Sequence, residues 1–403
     1  MLNFPVSLTH AKELEFLVCL ALPSLPESRL KRAKGLAKDG LDWSYLLSAA
    51  AFHGVVPAFM KHVKAHFETD VPGEVISQLN VRMKQISTQN LALVGTFLRF
   101  YRELEKQGVK SAIFKGPALA LLAYNDLFLR EFGDVDVFVD KKDVKTTQKQ
   151  LLTLGYKPLP ERDPPLSESF FQSDRFLSVT TEHTFARQFP TGVIDVHWEV
   201  QPSHLLPLTS TEVLANTVEI SLEGRTVRTI EPNLLFVVLT AHASKHAWDR
   251  LIWICDIAQL LDNCQDFDWR RVYDFADRLN VSEMVTLGLL LSNRFFDSKL
   301  PSIALERKTK TLESLVEDVV HNLPAMKLEG EGLMVRYCKF SATLLSGAQA
   351  KFRFLAREFL QPTVPDLLRL KLPEPLFFLY FALHPLWLFC DAARRRLTWT
   401  RAE

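Results

Sequence analysis

The chain has 403 residues, with 48 Lys and Arg against 47 Asp and Glu, 47% apolar residues and 24% charged ones. A single core seldom grows beyond about 250–300 residues, so two or three domains are expected, and a composition this apolar excludes a disordered chain. The near-zero net charge supplies no global positive field for nucleic acid or a membrane surface, and the five scattered cysteines (Cys19, Cys255, Cys264, Cys338, Cys390) suggest neither a zinc knuckle nor a disulfide framework, which fits a reducing cytoplasm.

The first segment, MLNFPVSLTHAKELEFLVCLALPSLPES, is apolar but carries Glu13 and Glu15 and lacks a basic leader, so it reads as helix and not as a secretory signal. Residues 1–100 keep helical spacing, as in LDWSYLLSAAAFHGVVPAFMKHV, and are expected to form a helical N-terminal region. Over 101–230 the pattern changes to short β-branched runs (SAIF, VDVFV, HTFAR, VIDVHWEV) separated by helical stretches, an α+β unit where the chemistry should sit. Within it KPLPERDPPLSESFFQSDR (157–175), rich in Pro and charge, is expected to be an exposed excursion near a cleft. Residues 231–403 return to helical spacing. The most apolar stretch, PLFFLYFALHPLWLFC (375–390), is shorter than the roughly 20 residues a spanning helix needs. It reads as a buried or partner-facing terminal helix, and the Arg run at 394–396 leaves a weak membrane contact through 375–396 open.

Three features in 101–230 carry chemistry. In DVDVFV, Asp134 and Asp136 are two apart, so on a strand their carboxylates share one face while Val135, Val137 and Val139 pack on the other. Two such carboxylates are costly unless a cation neutralises them, and hard oxygen ligands suit Mg²⁺ or Mn²⁺. Upstream, SAIF runs into Lys115-Gly116-Pro117 and a helix, a turn that aims backbone N–H groups and a positive dipole end at whatever lies above the sheet. Downstream, VIDVHWEV alternates strictly, placing Asp195, His197 and Glu199 on one face; HTFARQ and FPTG before it suggest a hairpin that brings Asp195 into an adjacent strand.

Together these segments resemble the DNA polymerase β-like nucleotidyltransferase superfamily and, more closely, a bacterial group labelled uncharacterised nucleotidyltransferases. The resemblance rests on DWSYLLSAAAFHGVVPAF, KGPALALLAY with REFGDVDVFV, IDVHWEV, HASKHAWDRLIWICDIAQLL and the terminal PTVPDLLRLKLPEPLFFLYFALHPL. It implies an α+β fold with a small mixed nucleotidyltransferase sheet flanked by helices. It also implies transfer of a nucleoside monophosphate from an NTP to an unidentified acceptor hydroxyl, with two Mg²⁺ or Mn²⁺ ions. By resemblance Asp134 and Asp136 would hold both metals, and Asp195 would ligate the catalytic one and help deprotonate the acceptor. Lys115, Gly116, Arg130, Gly133 and Lys245 are the corresponding candidates for phosphate or nucleotide contact. The superfamily has Gly-Ser where this chain has Lys115-Gly116-Pro117, so Lys115 is inferred to replace hydroxyl contacts, as in related toxin-type enzymes. For Arg130 a structural ion pair is the competing reading.

In TAHASKHAWDRLIWICDIAQLL, His242 and His246 are four apart on a helix, with His246 and Asp256 candidates to shape the cleft together with His197. Ala243 stands where a metalloprotease helix needs glutamate, so zinc is not supported. Trp248 and Trp253 read as core, and His53 and His183 as structural. Two alternatives accompany the transferase reading: a catalytically inactive scaffold that binds a partner, and a toxin-like transferase acting on tRNA or protein. Nucleic acid is not favoured by the charge balance.

Overall fold

The computed structural model describes residue 4 and residues 10–38, 40–159, 167–188, 192–202, 205–264, 267–326 and 333–399. Four helices, Ala11–Cys19, Glu27–Ala37, Trp43–Phe52 and Val56–His66, precede a 34-residue helix, Gly73–Lys106, which at 1.5 Å per residue is about 50 Å long. Its apolar residues recur at helical spacing, and its second half, from Leu93 to Leu104, packs into the core of the sheet.

Seven strands follow: β1 (Ser111–Ile113), β2 (Val135–Val139), β3 (Lys157–Pro158), β4 (Glu182–Arg187), β5 (Gly192–His197), β6 (Thr217–Leu222) and β7 (Arg225–Ile230). They form one mixed sheet in the order β3-β4-β5-β2-β1-β7-β6. The expected α+β class with a mixed sheet flanked by helices is therefore observed. Its centre is buried on both faces. Val135, Val137 and Val139 of β2 and Ile194 and Val196 of β5 pack on Phe97 and Phe100 of the long helix, while Phe114 and Phe138 face the helical core opposite. Burying five apolar strand residues of this size contributes roughly 1.5–3 kcal/mol each, which fixes the register because a one-residue slip would turn the valines outward.

The β4–β5 hairpin expected from HTFARQ and VIDV is present, with Thr184 opposite Asp195. The β6–β7 hairpin was not anticipated. Its turn, Glu223-Gly224, has φ of 50° and 73°, the two successive positive values a tight hairpin turn needs. The 157–175 excursion is also less exposed than its composition suggests. Residues 160–166 lie outside the described residues, but two short helices, Glu168–Phe171 and Asp174–Val179, bury Phe171 and Phe176 against His183 and Phe185.

Helices resume at Pro232–Lys245, capped by the Glu231 side chain, and continue through Leu251–Asn263, Trp269–Arg278 and Ser282–Phe296. No strand follows among the described residues. The helices before and after the sheet share one apolar core, in which Phe16, Leu46 and Phe59 join Leu235, Ile254 and Leu287. His53 stitches the two regions, its Nδ1 accepting from Leu251 N–H and its carbonyl from Ile252 N–H. The helix Tyr380–Trp399 corrects the buried reading of 375–390, since Phe378, Phe381, Leu386 and Phe389 stand exposed. No helix among the described residues is long and apolar enough to cross a membrane.

Candidate active site

The site is assembled by the sheet register. Strands β2 and β5 run parallel with Asp136 directly paired to Asp195, so two residues 59 positions apart in sequence become neighbours on one face. His197, two residues beyond Asp195 and therefore on the same face, is turned back so that Nε2 lies 3.0 Å from Asp136 Oδ1. Asp136, Asp195 and His197 each offer one atom within 4.8 Å of the others, the single such His, Cys, Asp or Glu grouping among the described residues. Asp134 is not within the strand, as the alternation suggested, but one residue before it. It remains close enough for the charges of Asp136 and Asp195 to act on it. Glu199 likewise falls beyond the end of β5.

The Lys115-Gly116 turn closes the site from β1. Lys115 is the cap residue of the helix Gly116–Tyr124, with Gly116 and Pro117 as its first two helical residues. Gly116 has φ of +49°, and a Cβ there would sit 2.9 Å from the Asp134 carbonyl oxygen. Only glycine therefore lets this turn approach the acid-bearing segment so closely. Lys115 Nζ lies 3.4 Å from Asp136 Oδ1 and 5.0 Å from the centre of the Phe114 ring. Gly133 is exposed beside Asp134 and leaves that approach open.

The electrostatics divide the three acids. Burial pushes the Asp134 carboxyl up to about 7, with Asp136 and Asp195 adding to the rise. Burial acts on Asp136 in the same direction, but Lys115 and the His197 hydrogen bond outweigh it and hold that carboxyl below the ordinary range. Asp195 is raised, chiefly by burial; the Thr184 hydroxyl opposes the shift and Asp136 reinforces it. For His197, burial is the largest influence and lowers the pKa, yet bonding to Asp136 and the nearby Glu182 and Asp136 charges leave it raised. Glu182 Oε2 lies 3.1 Å from Nδ1 without hydrogen-bond geometry.

A divalent cation fits this donor set. Asp195 Oδ1 is buried with no hydrogen-bond partner, an oxygen whose desolvation is uncompensated unless a proton donor or cation meets it. The carboxylate oxygens suit Mg²⁺ or Mn²⁺.

A family model described as "Uncharacterised nucleotidyltransferase" matches residues 39–297. The chain belongs to that nucleotidyltransferase family. The match takes in the whole sheet and the helices to Phe296; the terminal segment 362–386, on which the resemblance also drew, lies outside it. Among solved structures, an antigenic nucleotidyltransferase-like protein from Paracoccidioides brasiliensis is similar over 46% of this chain and 87% of that one, at 13% identity and a TM-score of 0.29. No curated protein matches.

The remaining candidates of this nucleotidyltransferase separate into two groups. Lys245, at the end of Pro232–Lys245, is exposed, yet desolvation, with Lys115 adding to it, lowers its pKa against the opposing charges of Glu182 and Glu358. His246 is half-buried; burial, with Lys245 and Lys115 adding to it, pushes its pKa down to about 4. It stands 5.2 Å from His242 and 5.4 Å from Trp253, ring centre to ring centre, and no third ligand joins the two histidines among the described residues. Trp248 is core, whereas Trp253 is half-buried against these imidazoles.

Arg130 and Asp256 form the second group. The Arg130 guanidinium binds Asp256 through two bonds of 2.8 and 2.9 Å, and the Tyr124 hydroxyl donates to the same carboxylate at 2.9 Å. Arg130 and Asp256 are both buried, so the structural ion pair is the reading the geometry matches, and Asp256 anchors the segment entering β2 instead of lining a cleft. Asn90 reinforces that segment by donating to the Leu127 and Arg130 carbonyls. His53 and His183 are buried, with pKa values pushed down to about 3 and about 4 by desolvation, as structural histidines would be. His197 is the residue whose weight was underestimated. Its face-sharing with Asp195 was visible in VIDVHWEV, but its bond to Asp136 needed the sheet.

Proposed function

We propose that the protein is a metal-dependent nucleotidyltransferase of the polymerase β-like type, moving a nucleoside monophosphate from an NTP to an acceptor hydroxyl. The observation that carries the reading is the register of β2 on β5, which faces Asp136 with Asp195 while Asp134 and the Lys115-Gly116 turn converge on the same point. The acceptor oxygen attacks the α-phosphorus, the bond to the bridging oxygen of the leaving pyrophosphate breaks, and the hydroxyl proton passes to a site carboxylate. Asp195, with its unpartnered oxygen, is the residue suited to accept it. Bound divalent cations would be held by Asp134, Asp136 and Asp195 and would supply electrostatic stabilisation of the phosphates.

The chain's own cations have separable tasks. Lys115, adjacent to Asp136, and the positive end of the helix Gly116–Tyr124 bind the outer phosphates as the helix end favours anions. Lys245, near enough for the Lys115 and Glu182 charges to act on it, supplies a further cation for the phosphates. His197 holds the Asp136 carboxylate in place through its Nε2 bond. The test is NTP labelled separately at the α and γ phosphates. The expected result is that α label enters an acceptor while γ label leaves as pyrophosphate. Incorporation of γ label instead would make the protein a kinase and overturn the reading.

A further inference from the structure

The arm formed by residues 348–399 lies beyond the family match and takes no part in the transfer just described. It nevertheless holds eleven of the seventeen large apolar side chains that stand exposed among the described residues. On the helix Ala348–Leu360, Phe352, Leu355 and Phe359 recur at i, i+3 and i+7 and are all exposed, Phe352 at 73%. On Tyr380–Trp399, Phe381 and Phe389 lie about two turns apart and are both exposed, Phe389 at 76% on the side opposite buried Tyr380. No charged residue interrupts 375–390. The two helices pack on each other, so both stripes belong to one surface unit.

This exposure is held in place. His384 Nδ1 lies 2.7 Å from Asp366, Arg369 pairs with Asp391 at 2.8 Å, and Arg175, from the excursion beside the sheet, donates to the Leu372 carbonyl at 2.6 Å. A braced apolar surface of this size marks an interaction site. Its charge indicates the partner. Residues 348–399 carry eight Lys or Arg against four Asp or Glu, in a chain where the two totals are nearly equal. Of the four acids, Asp366 and Asp391 are already paired with His384 and Arg369. Aromatic apolar stripes on an arm whose sequence carries a cationic excess are complementary to a bilayer with anionic headgroups, and helices of this length lie in the interface.

We propose that the C-terminal arm docks in the plane of an anionic lipid surface, with Phe352, Phe359, Phe378, Phe381 and Phe389 inserted among the headgroups. The docking also orients the enzyme. Glu358, on the first of these helices, is near enough to Lys245 for its charge to act there, and Arg175 ties the arm to the catalytic region, so the cleft would be held at the lipid surface.

The test is sedimentation of the full chain with vesicles of phosphatidylcholine alone or with roughly a third phosphatidylserine. The protein should pellet with the anionic vesicles, less at high salt, and Phe352→Glu/Phe381→Glu/Phe389→Glu should cut partitioning more than about tenfold while leaving the melting temperature and NTP binding unchanged. If the triple variant does not fold, single Phe389→Glu and Phe352→Glu should each cut partitioning by about threefold or more. Wild-type protein that stays in the supernatant, or variants that pellet like wild type, would overturn the proposal. So would a wild-type dimer, split by the triple variant, that ignores vesicles, because a second copy would then be what covers the face.

Discussion

Replacing Asp134 by Asn should stabilise the metal-free protein at alkaline pH while destroying its proposed chemistry. The Asp134 carboxyl is raised from 3.8 to about 7 by burial and by Asp136 and Asp195. Between those two values the native state binds a proton that the unfolded state has lost, so stability contributed by this group is present at low pH and is lost as pH rises through about 7. Above pH 8 the ionised side chain therefore costs the native state about 4 kcal/mol, at 1.36 kcal/mol per pKa unit. Asn is nearly isosteric and does not titrate. Melting curves of the two proteins in chelator should coincide near pH 4 and separate as pH rises, with the variant higher by several degrees at pH 8. Adding Mn²⁺ should reverse the order, because a cation relieves the repulsion in wild type and loses a ligand in the variant. A constant difference across pH, or a less stable variant in chelator at pH 8, would refute the reasoning.

Gly116→Ala forces a β-carbon to within 2.9 Å of the Asp134 carbonyl at a positive φ and should cost about 1–3 kcal/mol, seen as a lower melting temperature with loss of NTP binding. Asp256→Ala strands the buried Arg130 charge and should cost about 3–5 kcal/mol; a double cycle with Arg130→Met should return a coupling energy above about 1 kcal/mol, whereas additive losses would remove the anchoring role. His53, His183 and His246 are held neutral, at about 3, 4 and 4. As pH falls below about 6.5 the unfolded state takes up protons these sites refuse, so the melting temperature should drop between pH 6.5 and 4.5 despite the opposite contribution of Asp134. A flat profile in calorimetry would contradict it. Asp195→Asn should abolish the Mn²⁺-induced rise in melting temperature, since its unpartnered oxygen is the vacant donor.

What could be read from the chain was what repeats locally. The alternation in VDVFV and VIDVHWEV named both strands and the acids on their outer faces because side chains in a strand have period two, and the valines between them had to pack somewhere. The pairing of Asp136 with Asp195, and the turn of His197 onto Asp136, depend on which strands are neighbours, which no local pattern states. Arg130 and Asp256 are 126 residues apart, so their bond could only be guessed as a generic ion pair. The β6–β7 hairpin is less legible although TVEISLEGRTVRTI alternates about a Glu-Gly turn, because β6 is largely exposed and only β7 presents a buried face through Val227, Thr229 and Ile230. The segment 375–390 misled for a complementary reason. Apolar periodicity signals a face removed from water within the chain, and here the same pattern faces outward.

The most direct test of the catalytic account is incubation of the wild-type chain with α-labelled NTPs, Mg²⁺ or Mn²⁺ and a cell extract, beside Asp136→Ala and Asp195→Ala proteins shown by circular dichroism to be folded. The account predicts a labelled acceptor with wild type and none with either variant. Equal labelling by the variants would contradict it.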